Sequence, residues 1–416
     1  MCHTAMDGQM TTTDTDEPVV DKRLREFFSK EEHIFQVSRK VVNSFMKHNA
    51  NENGNGNVLI IDDEEEPQPQ ALLDKCDISN RSKDNCETDS NMDMFQPIYQ
   101  PIKASDSEAG PNANATNEGT VQKRRGQSFK LQVAYQGHAF CGWQIQPNND
   151  IPSIQQTLID CLDPLLNSDP NKPIDIRVCG RTDAGVSALG QYCRVRTLRS
   201  EEEVGPAGIQ KAINDQVHLN SLDKSSDSDG STSIVHEHAS IPLVWCTSVE
   251  RVTDKFHPTF DAKCRAYLYL IDADPLLAAA KEFNKDVRIE DIVSLMDSML
   301  QEIQGEELDF FALSYGKVKT ENTLCTLSRA RAYVLQTADG QRAVGIELVG
   351  NRFLRRMVRI LVATTIREAL IMLDQDLFDT ATARARLLAI VNTNNRTESA
   401  KAAPSNGLIF VGARFH

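Results

Sequence analysis

Residues 178–197, VCGRTDAGVSALGQYCRVRT, set Arg181, Thr182 and Asp183 between Gly180 and Gly185. A carboxylate beside a guanidinium is a chemically useful pair. The ionised acid can attack an electrophilic carbon or take a proton, and a neighbouring cation favours its charged form. Glycine permits positive φ and close backbone approach, so Gly180, Gly185 and Gly190 suit a loop that holds such a group tightly. Asp and Gly are also ordinary turn residues, and RTDAG by itself fits a plain turn. Upstream, Ile174, Ile176 and Val178 alternate with Asp175 and Arg177, the period of a half-buried strand. Downstream, Gln191, Cys193 and Val195 alternate with Tyr192, Arg194 and Arg196. The loop thus joins two predicted strands, and these must fix its geometry.

The bulk numbers narrow the function classes. At 416 residues the chain has room for two to three domains of roughly 150 residues each. It is 40% hydrophobic and 25% charged, as globular proteins are. The longest apolar run, MVRILVATTIREALIML, is interrupted by Arg359, Arg367 and Glu368, which argues against a membrane span. The N-terminus, MCHTAMDGQMTTTDTDEP, lacks an apolar core and is acidic, so neither a secretory signal nor a transit peptide is expected. Ten cysteines without a C-x-x-C pair point to free thiols in a reducing compartment. His236 and His238 in VHEH have no second ligand pair at zinc-like spacing, so no metal is expected.

The net charge of −14 is uneven. Residues 1–126 carry 23 acidic and 14 basic side chains, and residues 127–416 carry 36 and 31. NRFLRRMVR nonetheless gathers Arg352, Arg355, Arg356 and Arg359. A local basic patch can bind a polyanion on a protein that is acidic overall, so charge leaves RNA binding open.

Residues 1–126 read as a mostly disordered acidic extension, because NANENGNGN, DDEEEPQPQ and SDSEAGPNANATNEG are too polar to bury a core. Within it, Leu24, Phe27, Phe28, Ile34, Phe35, Val37, Val41, Val42 and Phe45 recur at helical spacing, predicting an amphipathic helix over 20–47 that docks on the body or on a partner. QKRR at 122–125 is a short basic cluster open to a nuclear import or a phosphate-contact reading. Removal of residues 1–120 is expected to leave a folded protein. Two halves follow, 127–250 with the Asp183 loop and a polar insertion at 221–240, and 251–416. FKLQVAYQG, PLVWCTSVERV, CRAYLYLIDA, SRARAYVLQT, RAVGIELVGN and GLIFVGARF read as strands. SIQQTLIDCLDPLL (with Ser153 as N-cap), PAGIQKAINDQV, IEDIVSLMDSMLQEIQ and RRMVRILVATTIREALIML read as helices. The order predicts an α+β fold, an antiparallel or mixed sheet with helices on one face.

Five segments in order resemble one family. VAYQGHAFCGWQIQP, CGRTDAGVSALGQ, FHPTFDAKCRAYLYLI, GNRFLRRMVRILV and APSNGLIFVGARF are similar to the ordered motifs of the TruA-type tRNA pseudouridine synthases, and the likeness runs from Phe129 to Phe415. It implies a central antiparallel sheet built from two similar α+β halves flanked by helices, with a cleft between them. It also implies isomerisation of uridine to pseudouridine in tRNA in the anticodon stem-loop, without cofactor or metal, and a homodimer. Ser187 stands where bacterial relatives often have His, and Ala363 replaces a usual glycine. These departures leave the reaction intact and do not fix the target uridine, so a multi-site tRNA and RNA enzyme stays an alternative. Cytosol and nucleus are equally open.

Carried over residue by residue, the resemblance makes Asp183 the catalytic carboxylate, Arg359 its charge partner and Tyr267 the ring that stacks on the base. Whether Asp183 attacks C1′ or C6, or takes a proton from the sugar, stays open. Arg181 would help to hold the uridine out of its stack, a step that requires a few kcal/mol. Leu408 would form an apolar wall. Apart from the resemblance, Arg352, Arg355 and Arg356 are candidates for phosphate contacts, with ordinary helix-surface charge an equal alternative. Tyr269, two residues on, faces the same side as Tyr267, and only the motif register separates the two. Two other classes compete. One is a non-catalytic RNA-binding or chaperone protein of the same fold, disfavoured by the joint presence of Arg181, Asp183, Tyr267 and Arg359. The other is a hydrolase, which lacks the second carboxylate or metal set it needs.

Overall fold

Strand β1 (Gln127–Tyr135) lies between β3 (Ser187–Thr197) and β4 (Val244–Val252), antiparallel to both. The computed structural model describes residues 18–52 and 126–415, apart from 148, 168, 170–171, 201, 223–240, 317–321 and 338–339. The insertion from residue 223 onward, His236, His238 and the QKRR cluster lie outside the described residues. The remaining strands are β2 (Ile176–Val178), β5 (Cys264–Asp272), β6 (Glu307–Asp309), β7 (Leu324–Gln336), β8 (Arg342–Gly350) and β9 (Leu408–Arg414). Among the described residues they form one sheet in the order β4-β1-β3-β9-β5-β8-β7-β6, with β2 beside β3. All pairings are antiparallel except β3 with β9, which is parallel and brief, at Ser187↔Ile409 and Ala188↔Phe410.

The last strand therefore sits at the centre. β9 joins the half that holds the Asp183 loop to the half that holds Tyr267. Helices α4 (Ile154–Leu166) and α5 (Pro206–Leu222) cover the first half, where Leu158, Leu162, Ile209 and Ile213 pack on Phe129, Leu131 and Val133. Ser153 caps α4 as its sequence predicts, its hydroxyl accepting from Gln156 N–H at 3.1 Å. Over the second half lie α6 (Ala273–Ala280), α7 (Ile289–Glu302), α8 (Met357–Asp374) and α9 (Thr380–Asn392). Helix α8 is buried nearly all round, which explains the apolar run that resembles a membrane span. No helix among the described residues is long and apolar enough to cross a membrane.

The segment read as one helix over 20–47 is three: α1 (Val19–Phe28), α2 (Glu31–Ile34) and α3 (Gln36–Glu52). Their apolar positions are part of the core. Val20, Leu24, Phe27, Ile34 and Phe35 pack with Tyr269, Ile271 and α8 on one face of the sheet. Val37, Val42, Phe45 and Met46 pack with Leu189, Trp245, Leu268, Leu270 and Ile409 on the other. The chain changes face between Phe35 and Val37, at the ends of β5 and β9, where Val37 N–H donates to the buried Asp272 carboxylate at 3.0 Å. Helices therefore lie on both faces rather than on one, because the alternate residues of β5 and β9 are apolar too and need cover.

Candidate active site

The Asp183 loop is built by contacts on two sides. The turn after β1 presses on its backbone. A Cβ on Gly137 would come within 2.2 Å of Val186, and one on Gly142, at φ +110°, within 3.1 Å of Thr182 O and Ala184 N. Only glycine fits both places. Trp143 N–H donates to Thr182 O at 3.1 Å, and the buried Tyr135 and Thr182 hydroxyls pair at 2.9 Å. Gln191 Nε2 donates to Gly180 O at 2.8 Å. On the far side Gly185, at φ +83°, is backed by Ser405 and Asn406. The plain-turn reading of RTDAG gives way to a loop clamped by β1, β3 and the approach to β9.

Helix α8 brings the partner cation. Arg359 Nη1 donates to Asp183 Oδ2 at 2.8 Å, and its Nε donates to Ala403 O at 2.6 Å. Both acceptors lie far away in the chain, and the fork spans them. Arg356 approaches the same oxygen, with Nε 3.7 Å from Asp183 Oδ2. That distance is too long for a hydrogen bond. This Nε is buried and has no acceptor among the described residues. The sequence reading starts α8 at Arg355, but Arg356 lies just before its first residue. It caps α8 in the left-handed region at φ 57°, and Arg355 precedes it in the turn. Both guanidinium groups lie over the Tyr315 ring, 4.1 Å and 5.3 Å from its centroid.

Strand β5 supplies the ring. Tyr267 is half-buried, in edge contact with Phe353 at 5.0 Å and Phe410 at 5.1 Å. A Cβ on Gly180 would lie 3.9 Å from its hydroxyl, so the phenol points at the start of the Asp183 loop. Burial pushes its pKa well up, with Cys179, Tyr135 and Asp183 adding and Arg265 opposing. The phenol is thus a neutral donor and a flat apolar face at neutral pH. Tyr269 is different: it is fully buried, its ring stands edge-on to Phe35, and its hydroxyl donates to Pro404 O at 2.9 Å.

The structure brings Asp183, Arg359, Arg356 and Tyr267 together. Arg181 stands exposed at the mouth of the loop. Leu408 is buried at the start of β9, opposite Tyr269, and the β9 ring against Tyr267 is Phe410. Arg355 is exposed, and Arg352 lies near Cys325, whose thiol burial pushes up to about 11.

Four contributors escape the sequence reading: Phe410, Phe353, Tyr315 and Arg265. Arg265 donates to Thr259 O at 2.6 Å, Asn351 O at 2.9 Å and Cys179 O at 3.4 Å, tying β5 to the loop. Its place in the RAYLYL motif is the one signal that points to it. Cys179, the thiol beside the loop, is pushed up to about 11, chiefly by burial, and is no nucleophile at neutral pH. Among the described residues no His, Cys, Asp or Glu cluster is fit to hold a metal ion. The site is a carboxylate gripped by one guanidinium and approached by a second, beside an aromatic face.

No protein-family model matches the chain. It is 28% identical over 253 residues to tRNA pseudouridine synthase A 2 of Bacillus cereus, which covers 60% of this chain and 87% of that protein. It is 27% identical over 284 residues to tRNA pseudouridine synthase A of Ruminiclostridium cellulolyticum, covering 68% and 97%. With the enzyme of the same name from Anaplasma marginale the identity is 26% over 286 residues, covering 68% and 98%.

Proposed function

We infer that the chain belongs to the TruA-type tRNA pseudouridine synthase family and isomerises uridine to pseudouridine in tRNA. The observation that carries the reading is the 2.8 Å pair between Asp183 and Arg359, set beside Tyr267. The reaction detaches uracil from C1′ of its ribose, turns it and rejoins it through C5. Atoms and electrons balance within one nucleotide.

Each residue has a part in this proposal. Asp183 is the carboxylate that acts on the nucleotide, oriented by the guanidinium of Arg359. Tyr267 stacks on the uracil, with Phe353 and Phe410 fixing its ring. Arg181, at the mouth, helps to keep the uridine out of its stem. Arg356 brings a buried donor with no acceptor among the described residues, which suits an oxygen of the substrate. Arg355 and Arg352 serve phosphates further along the backbone, and Leu408 backs the pocket from β9. The two halves, 127–250 and 251–416, form the walls of the cleft. The anticodon stem-loop is the proposed target region and a homodimer the proposed state, acting in the cytosol or the nucleus.

Incubation of the full chain with an unmodified tRNA transcript, followed by mapping of pseudouridine, tests the reading. Modification within the anticodon stem-loop is expected, and Asp183→Asn is expected to abolish it while leaving tRNA binding in place. Binding without any turnover by the wild-type chain would instead identify an RNA-binding protein of this fold. Modified positions spread over several regions would identify the multi-site enzyme.

A further inference from the structure

Residues 403–407, which lead into β9, are held from two sides. Toward the site, Ala403 O accepts from Arg359 Nε at 2.6 Å, and Ala403 N–H donates to Arg359 O at 3.1 Å. Ser405 and Asn406 press on Gly185, where a Cβ would meet Ser405 Oγ at 2.5 Å. Away from the site, the same residues rest on the N-terminal helices. Asn406 Nδ2 donates to Glu31 Oε2 at 2.6 Å, and Ser38 Oγ donates to Asn406 O at 3.0 Å. Phe35 lies flush with Gly407, where a Cβ would meet its ring at 2.6 Å. The ring also stands edge-on to Tyr269, whose hydroxyl holds Pro404 O at 2.9 Å.

We propose that Glu31, Phe35 and Ser38, in the segment read from sequence as an extension, are positioning residues for the Asp183–Arg359 pair. Among the described residues, no hydrogen bond or ion pair joins them to either member. They fix the 403–407 segment, and that segment fixes the guanidinium fork and the back of the Asp183 loop. Arg359 has two acceptors, Asp183 and Ala403, so a shift of Ala403 turns the fork away from Asp183. Misplacement of reacting groups by about 1 Å can slow a reaction roughly 10²-fold. The proposal rests on the reading above, in which this pair does the chemistry.

Glu31→Ala and Glu31→Gln in the full chain test it. Gln keeps a carbonyl acceptor for Asn406, and Ala keeps none. Three quantities are read: amide exchange of residues 401–408, the single-turnover rate on tRNA at saturating enzyme, and tRNA affinity. Glu31→Ala is expected to speed exchange in 401–408 severalfold and to slow single turnover by about tenfold, with affinity within about twofold. Glu31→Gln is expected to restore both. Unchanged exchange in Glu31→Ala overturns the proposal. So does faster exchange with an unchanged rate, which would leave Glu31 a structural contact only. If Glu31→Ala fails to fold, Ser38→Ala carries the same test from the other contact. A wild-type chain that turns over no tRNA refutes the functional reading, while the exchange arm still decides whether the helices hold the 403–407 segment.

Discussion

Arg359 does two jobs with one planar group, holding Asp183 through Nη1 and Ala403 through Nε. Lysine keeps the charge but is a point donor without the fork. Arg359→Lys is therefore expected to lower the single-turnover rate at saturating enzyme far more than it weakens binding. A mere phosphate contact would show the reverse, weaker binding with unaltered single-turnover chemistry. Tyr267 carries a second prediction. Burial raises its phenol pKa, and an acid with a raised pKa keeps its proton to higher pH. Tyr267→Phe keeps the ring between Phe353 and Phe410 and removes only the hydroxyl. Its rate–pH profile from about pH 6 to 9 should keep the wild-type shape, since no Tyr267 ionisation falls in that range. A limb that vanishes in the variant would mean that the phenol titrates there after all.

At the scale of elements, the Asp183 loop owes its shape to the turn after β1. Gly142 combines φ +110° with backbone neighbours at 3.1 Å, and neither Thr182 O nor Ala184 N can swing aside as a side chain would. Gly142→Ala is expected to reduce stability by about 1–3 kcal/mol and to displace the loop that carries Asp183. Gly208 is the contrast: it lies in α5, and a Cβ there meets nothing within 4 Å. Gly208→Ala should leave activity unchanged and raise stability by up to about 1 kcal/mol. Melting curves and single-turnover rates of the two variants check the pair, and equal losses in both would detach the turn from the site.

For the whole molecule, the N-terminal helices alter the expected consequence of truncation. Composition alone suggests that residues 1–120 are dispensable. In the structure, α1 and α2 close one face of the sheet and α3 the other, with Ile34, Phe35, Val37 and Met46 wholly buried. Each such side chain contributes about 1.5–3 kcal/mol when buried. Their removal also bares Leu268, Leu270, Trp245 and Ile409. A chain lacking residues 1–52 is thus expected to melt at lower temperature than the full chain and to bind an apolar-surface dye when native. Equal melting of the two chains would show that the helices add no net stability.

The residues themselves determined much. The strand period on both sides of RTDAG, the Ser153 cap and the apolar stripe from Leu24 to Phe45 are local patterns, and local patterns follow from backbone geometry a few residues at a time. The motif order carried the family likeness, and with it the choice of Tyr267 over Tyr269. Sheet order was beyond such reading. β9, last in the chain, enters between β3 and β5, and this places Asp183 against an arginine 176 residues away. It also sets Phe410 on the Tyr267 ring, and its lead-in residues, 403–407, on Glu31 and Phe35. Composition hid the role of residues 18–52, because polar neighbours on either side diluted a short apolar segment. Only the tertiary structure decided these contacts, since burial depends on which faces meet and no window along one chain records that.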